Sequence, residues 1–209
     1  MVRIRVGTGE AVEVFELHKG VLCFYSEYFR VALRDEWTEG KDNELALPTE
    51  DPATFRLFRD WLYLQKVVDA TTNHYEAPHT IEVLCDLWAF GDRRGVPLLM
   101  NEAIDVIRNQ VVKSTSAAIK NMPTIYANTM PGSKLRTFMV DLFTKHDSGV
   151  SFQAHYEARW TVESLLEVVR QLQLRALRKQ GVGDQRREDV AKWDMCQYHV
   201  HNDGERCKK

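Results

Sequence analysis

The first stretch of the chain, MVRIRVGTGEAVEVF, alternates apolar residues with charged or small ones. Two runs with a period of two are separated by a pair of glycines, a pattern typical of a β-hairpin. The apolar positions of the two runs are Val2, Ile4, Val6, Val12 and Val14, the last leading into Phe15. We therefore predict a hairpin at the start of the chain.

From Gly20 the apolar spacing changes to three and four residues, which places these side chains on one face of a helix. The positions are Val21, Leu22, Tyr25, Tyr28, Phe29, Ala32 and Leu33. Periodicity alone permits a single helix here. Ser26 is followed by Glu27, however, and a serine hydroxyl can accept the free backbone N–H of a helix start. We predict that Ser26 divides the segment into two short helices.

The stretch TEGKDNELALPTEDP is polar and turn-rich, apart from the alternating Leu45 and Leu47. It predicts a loop, a short strand and a helix start, with Asp51 as the cap and Pro52 at the first helical position. Apolar stripes then indicate three helices: Phe55, Phe58, Trp61 and Leu62; Ile81, Leu84, Cys85 and Trp88; and Val96, Leu99, Met100, Ala103 and Ile107.

The order of these elements, a small sheet followed by a run of helices, argues for an α+β domain over residues 1–112. Within it, residues 69–79 lack periodicity and are predicted to be a loop. In the second half, two stripes indicate further helices: Leu135, Phe138, Met139, Leu142 and Phe143; and Val162, Leu165, Leu166, Val169 and Leu172. Residues 178–194 predict a linker or a frayed helix. We expect residues 113–209 to be an all-α extension with a polar tail from about residue 180.

Composition narrows the class of protein. The chain has 209 residues, 44% hydrophobic and 28% charged, with a formal net charge of -2. This balance offers no general attraction to nucleic acids or anionic membranes, and no apolar run approaches the ~20 residues that span a bilayer. The N-terminus lacks the apolar block of a signal peptide, so we expect an intracellular protein, cytoplasmic or nuclear. Cys23 and Cys85 lie in apolar periodic segments and are predicted to be buried thiols.

Three stretches of the first half fit one family pattern: FELHKGVLCFYSEYFRVAL, EWTEG and LALPTEDPATFRLFRDWLY. Together they resemble the BTB/POZ domain, whose members commonly show F-x-(V/L)-H-K-x-x-L, S-x-Y-F, an acidic apolar loop and F-x-x-(F/L)-x-x-(W/F)-(L/I)-Y. The matching residues are Phe15, Leu17, His18, Lys19, Leu22, Ser26, Tyr28, Phe29, Phe55, Phe58, Trp61, Leu62 and Tyr63. The resemblance implies a small mixed sheet flanked by a helical bundle.

The remainder resembles the fungal members of this family. LWAFGDRRGVPLLMNEAIDVI is similar to their closing helical pair, and IYANTMPGSKLRTFMVDLF to their C-terminal extension, comparable in position to the BACK region of other BTB proteins. The chain starts at its first hairpin, so we expect it to lack the swapped N-terminal element through which some relatives dimerise.

The resemblance implies a protein–protein interaction module, and most concretely a substrate adaptor for a cullin-type ubiquitin ligase. In relatives that recruit cullins, a hydrophobic-x-acidic triplet contacts the scaffold; Trp37, Thr38 and Glu39 match it here, and Tyr63 would be a second contact. An exposed tryptophan is a large, rigid anchor, and a glutamate at the rim selects a basic partner. In the alternative, Trp37 folds back onto the helix below it and Glu39 is simply solvated.

The rival function is a self-associating scaffold or transcription-associated BTB protein with no cullin link, for which a homodimer is expected. An adaptor also needs a surface for its substrate. The sequence has no kelch, MATH or other obvious substrate-recognition domain, so residues 113–209 would have to supply it. No basic stripe or zinc-finger array favours a DNA-linked version.

An enzyme is not expected, because the sequence lacks a catalytic constellation. His18 has no Ser, Asp or Cys spaced for a triad and no second His nearby, so we interpret it as a joint whose ring nitrogens satisfy local backbone groups. The glycines near the N-terminus lack the spacing of a phosphate-binding loop. Asp92, Arg93 and Arg94 are predicted to cap and solvate a helix end.

The stretch CQYHVHNDGERC has metal-like spacing. Cys196, His199, His201 and Cys207 form C-x2-H-x-H-x5-C, four residues of the right type for tetrahedral zinc. If zinc binds, it would be structural, because four protein ligands leave no open position. The spacing matches no established finger pattern, and the alternative is a disordered polar tail.

Overall fold

A computed structural model of the chain describes residues 1–67, 79–112, 116–146, 149–177, 189–201 and 206–207. Most of the predicted loop at 69–79 and residues 178–188 of the predicted linker lie outside these ranges. The chain divides into two compact units, Met1–Ala103 and Ile104–Lys209. The predicted limits of 1–112 and 113–209 stay predictions.

The first unit contains the described sheet and most of the predicted helices. Its strands are β1 (Val2–Val6), β2 (Glu13–Leu17) and β3 (Glu44–Leu47). Its helices are α1 (Lys19–Tyr25), α2 (Glu27–Ala32), α3 (Thr38–Asp42), α4 (Pro52–Leu64) and α5 (Ile81–Arg94), and α6 (Pro97–Val111) crosses the boundary between the units. The short helix α3 lies where the sequence predicts a loop.

The sheet is mixed, with strand order β2-β1-β3. β1 pairs antiparallel with β2, confirming the predicted hairpin, and parallel with β3. The register pairs Ile4 with Phe15 and places both in the core. Neighbouring residues of a strand point to opposite faces of the sheet. Because Phe15 points into the core, its neighbour Val14 is exposed to solvent.

Ser26 separates α1 from α2, as predicted. Its hydroxyl accepts the backbone N–H of Phe29 at 3.1 Å, which caps α2, and donates to the carbonyl of Arg94. The predicted cap of α4 is also present, since Asp51 accepts from the Thr54 N–H at 2.8 Å. These two side chains satisfy backbone groups that a helix start leaves without an internal partner.

The core of the first unit is packed between the sheet and the helices. It is rich in aromatic rings, and Phe55 and Phe58 of α4 are fully buried against Phe90 of α5, with centroid separations of 5.9 and 4.9 Å. Cys85 is buried and Cys23 half-buried, and both are free thiols. A small mixed sheet covered by helices confirms the predicted fold class.

Glu50, just after β3, is bound by two arginines from the end of α5. Arg93 donates to its two oxygens at 2.8 and 3.1 Å, and Arg94 donates at 2.7 Å. The Glu50 side chain is only 2% exposed. Burial acts to raise the pKa of Glu50, but the two guanidinium groups outweigh it and hold the pKa below the ordinary 4.5. The prediction that Asp92, Arg93 and Arg94 cap and solvate a helix end therefore misses the ion pairs of the two arginines with Glu50.

The second unit is helical within the described residues. Its helices are α7 (Ser116–Ile119), α8 (Met122–Asn128), α9 (Lys134–Asp141), continued by a π-helical turn (Leu142–His146), and α10 (Val162–Leu177), with short 3-10 turns at Val150–Phe152, Ala154–Arg159, Val190–Lys192 and Met195–Gln197. The predicted stripe of α9 is buried throughout. In the described part of the chain, no helix has the length and apolar character needed to cross a membrane.

Helix α10 packs through polar residues and the buried Val168. Ser164 is fully buried, Glu167 accepts from the Tyr126 hydroxyl at 2.6 Å, and Gln171 donates to Asp141 at 2.9 Å. Arg136 of α9, also buried, donates to Glu163 at 2.5 Å. These partners hold the polar side of α10 against the unit, so its apolar side faces outward.

Residues 189–201 pack against the rest of the second unit. Val190 and Tyr198 are buried, and the Tyr198 ring lies 5.2 Å from that of Phe138 on α9. The Tyr198 hydroxyl also donates to Asp141 at 2.8 Å. Apolar burial and this hydrogen bond fix the segment against α9.

Candidate functional site

The segment that leads into α3 lies at the surface. Residues 34–39 are exposed, and the Trp37 side chain, just before the first turn of α3, is 55% exposed. Thr38 and Glu39 begin the helix and face solvent. Trp37 is therefore not folded back into the core.

Gly40 holds this turn close to the end of α2. A Cβ atom at Gly40 would lie 1.9 Å from the Arg34 carbonyl oxygen, a distance that no side chain tolerates. Two backbone hydrogen bonds complete the turn, from the Trp37 N–H to Arg34 at 3.0 Å and from the Lys41 N–H to Trp37 at 3.1 Å. Trp37 thus projects from a backbone that is tightly fixed.

Tyr63, near the end of α4, is 48% exposed and is bound to His18. Its hydroxyl accepts the His18 backbone N–H at 3.3 Å and lies 3.0 Å from His18 Nδ1. In the tautomer protonated at Nε2, the hydroxyl donates its own proton to Nδ1. The ring of His18 is thus held by a tyrosine side chain and not by the local backbone groups that the sequence suggests.

Lys19 connects the same point to the α3 segment. Its ammonium lies 2.8 Å from Asp35 Oδ1, and this hydrogen bond lowers the pKa of Asp35. His18 and Lys19 are consecutive, so one end of α1 is joined to Tyr63 on one side and to the approach to Trp37 on the other. We call this group, Tyr63, His18, Lys19, Asp35 and Trp37–Glu39, the α3–Tyr63 surface.

The α3–Tyr63 surface is suited to binding a protein. It presents two exposed aromatic side chains on ordered backbone, beside exposed carboxylates at Asp35, Glu36 and Glu39. Aromatic anchors with a charged rim are typical of protein interfaces. The Tyr63 hydroxyl, 3.0 Å from His18 Nδ1, fixes the orientation of this second aromatic ring.

A second exposed apolar surface runs along α10. It consists of Val162, Leu165, Leu166, Val169 and Leu172, all of which are exposed. The sequence predicts these residues to share one helical face, which is confirmed, but periodicity does not say that the face is directed outward. An apolar stripe at the surface usually marks an interaction site.

The Cys/His cluster, Cys196, His199, His201 and Cys207, is brought together in the second unit. Cys196 Sγ lies 3.4 Å from His201 Nε2, and Cys207 Sγ lies 3.5 Å from the same nitrogen. His199 Nδ1 lies 3.0 Å from Cys207 Sγ. Among the described residues, ligand atoms of Cys196, His201 and Cys207 all lie within 4.8 Å of one another. Burial raises the pKa of the Cys207 thiol, and the Cys196 thiol raises it further.

Two participants, Asp105 and Asp35, have no signal in the sequence. Asp105 of α6 lies 3.1 Å from His199 Nε2, and nothing in its sequence context links it to the distant Cys/His cluster. Lys19 belongs to the family motif, but its partner Asp35 has no signal in the local periodicity. Both contacts depend on tertiary structure.

Comparison with known proteins gives one positive finding. Residues 2–85 match the family model for the BTB/POZ domain. No match was found among curated proteins. The match confirms the resemblance seen in the first half of the chain.

Proposed function

This chain is a BTB/POZ-domain protein, and we propose that it acts as a substrate adaptor for a cullin-type ubiquitin ligase, binding the scaffold through the α3–Tyr63 surface. BTB/POZ domains are protein–protein interaction modules, and the proposal concerns which partner this one takes.

The observation that supports the proposal most strongly is the exposure of Trp37 on a fixed turn. The triplet Trp37-Thr38-Glu39 has the hydrophobic-x-acidic pattern that contacts the scaffold in relatives that recruit cullins. Because the Gly40 turn holds the backbone in place, little conformational entropy is lost when Trp37 is buried by a partner. Glu39, the second residue of α3, favours a basic patch on the partner.

Tyr63 extends the surface beyond the triplet. His18 orients the tyrosine ring through the bond to its hydroxyl, and Lys19 holds the approach to α3 through Asp35. The two aromatic anchors are thereby supported by adjacent residues of α1. In this proposal His18 and Lys19 position the contacts and do not carry out chemistry.

A cullin N-terminal domain is the direct probe. Wild-type chain is expected to co-elute with it in size-exclusion chromatography, and titration calorimetry gives the affinity. The double variant Trp37→Ala/Glu39→Ala should bind at least about thirtyfold more weakly, since loss of a central aromatic anchor typically costs about 2 kcal/mol or more.

A matched control variant distinguishes this loss of affinity from a general effect of removing exposed side chains. Met130→Ala/Glu157→Ala also removes one exposed apolar and one exposed acidic side chain, but from the second unit, and should bind like the wild type. Absence of binding by the wild-type chain, or equal affinities for the two double variants, would overturn the adaptor proposal.

One observation favours a second function, self-association as a scaffold. Val162, Leu165, Val169 and Leu172 are spaced by three, four and three residues, which is the heptad spacing of a coiled coil. Valine at the a positions with leucine at the d positions favours pairing of two helices. An outward stripe of this kind is self-complementary, so the partner we propose for it is α10 of a second copy.

A further inference from the structure

The Cys/His cluster combines two features that a structural metal site requires. Two cysteines and two histidines converge from a segment of twelve residues, and their donor atoms face one another at short range. Nothing in the α3–Tyr63 surface uses these residues. Three of the donors already lie within 4.8 Å of one another.

From this geometry we propose that Cys196, His199, His201 and Cys207 bind a single structural Zn²⁺ ion. With Zn–S bonds of about 2.3 Å and Zn–N bonds of about 2.0–2.1 Å, neighbouring sulfur and nitrogen ligands of a tetrahedron are about 3.5 Å apart. The two distances from His201 Nε2 to the cysteine sulfurs, 3.4 and 3.5 Å, agree with that value. His199 Nδ1, 3.0 Å from Cys207 Sγ, is the fourth ligand in this proposal.

The carboxylate of Asp105 is a second, independent indication of a metal site. Its carboxylate lies 3.1 Å from His199 Nε2, the nitrogen that would not bind the metal. Histidine ligands of zinc commonly donate this second N–H to a carboxylate, which fixes the tautomer and strengthens the ligand. With Nε2–H directed at Asp105, the lone pair of Nδ1 points away from it and toward the cluster.

The segment that carries the ligands is held in place directly before His199. Tyr198 is buried and bonded to Asp141, and Lys134 donates to the Gln197 carbonyl at 2.8 Å. The Cys207 N–H lies 3.4 Å from Cys196 Sγ and can donate to it. Such a donor favours a metal-bound thiolate, because it stabilises the negative charge on sulfur.

The ligand set selects zinc among the common metal ions. Two thiolates and two imidazoles are soft or borderline donors, and their tetrahedral arrangement suits Zn²⁺ and not Mg²⁺ or Ca²⁺, which prefer oxygen. Four protein ligands leave no position for water or substrate, so the ion has a structural role. It would tie Cys207 to the segment that begins at Cys196.

Metal analysis of the purified chain tests the proposal. After expression with added zinc and extensive dialysis, the wild-type chain should retain about one zinc ion per chain, and Co²⁺ exchange should give the visible bands of a tetrahedral site with thiolate ligands. Cys196→Ser and Cys207→Ser should each lose the metal. Cys23→Ser and His155→Ala, outside the cluster, should retain it.

The role of Asp105 has its own measurement. Asp105→Asn should keep the tetrahedral Co²⁺ spectrum but bind zinc about 10–100-fold more weakly in a competition titration with a chromophoric chelator. A spectrum that changes geometry, or an unchanged affinity, would contradict its assignment as a positioning residue for His199.

Three outcomes would overturn the site itself. One is a wild-type chain with no more zinc than Cys196→Ser under the same conditions. Another is a Cys196–Cys207 disulfide in the chain purified under reducing conditions, detected by mass as the loss of two hydrogens. Retention of zinc by both cysteine variants would equally place the metal elsewhere.

Discussion

At the scale of single residues, the break that Ser26 makes between α1 and α2 is predictable from the sequence alone. Periodicity across Gly20–Leu33 permits one continuous helix, and only the chemistry of a serine at that point predicts a break. The structure adds a second bond that local reasoning cannot supply, from the Ser26 hydroxyl to the Arg94 carbonyl. One buried oxygen therefore joins the start of α2 to the end of α5.

Replacing Ser26 with alanine should destabilise the protein by about 2 kcal/mol, because the cap of α2 is lost and the Arg94 carbonyl loses a buried donor. Urea unfolding monitored by circular dichroism measures the change. Thr80→Ala is a matched control, since Thr80 caps α5 through one N–H but is exposed, and it should cost about 1 kcal/mol or less. Equal losses in the two variants would contradict the double role of Ser26.

Glu50 has no comparable signal in the sequence, because its two arginine partners are brought to it by the fold. Its pKa is held below the ordinary 4.5 in the folded state. A carboxylate whose pKa is lower in the folded than in the unfolded protein stabilises the fold fully at pH values above its unfolded-state pKa. This stabilisation is lost as the pH falls through its folded-state pKa.

We therefore predict that stability falls on acidification below about pH 4.5, and that Glu50→Gln removes part of this dependence. At pH 7 the free energy of unfolding of the variant should be lower by about 3 kcal/mol. This is the lower end of the range for a buried ion pair that loses one partner, chosen because the Arg93 side chain is 44% exposed. The difference between the two proteins should shrink as the pH approaches 3. A difference that is constant from pH 7 to pH 3 would contradict the assignment. Burial raises the pKa of Asp86 and of Asp92, so these two groups have the opposite effect on the pH dependence of stability. Both the wild type and Glu50→Gln contain them, and their contribution therefore cancels in the difference between the two proteins.

Among whole elements, periodicity identifies which residues share a face but not always where that face points. It identifies α4, α5 and α9 correctly, because their apolar stripes are buried. On α10 the opposite side is buried instead. It carries Val168 and polar residues for which Arg136, Tyr126 and Asp141 provide charged and hydrogen-bonding partners. Helix α3 carries no apolar stripe, so the periodicity of the sequence does not predict it.

The outward stripe of α10 leads to a prediction about association. If α10 pairs with a second copy, Val169→Glu should convert a dimer into a monomer without loss of helix content, as measured by light scattering and circular dichroism. Leu174→Glu alters an exposed leucine of the same helix outside the stripe and should leave the dimer intact. A monomeric wild-type chain at tens of micromolar, or a dimer that survives Val169→Glu, would contradict pairing through α10.

For the molecule as a whole, the family and the fold class are predictable because many weak signals agree. The hairpin, the Ser26 break, the caps and the aromatic stripe of α4 all point to one domain, and residues 2–85 match it. The candidate sites are predictable only in part. Trp37, Tyr63 and the four Cys/His residues are recognisable by type, but Lys19–Asp35 and Asp105–His199 depend on residues that only the folded chain brings together.

We propose that a cullin scaffold binds the α3–Tyr63 surface, and hydrogen–deuterium exchange locates such binding directly. On addition of a cullin N-terminal domain, amide exchange should slow in residues 34–42 and around Tyr63, while α10 stays unchanged. Protection confined to α10, or no protection in the presence of saturating cullin domain, would contradict the claim.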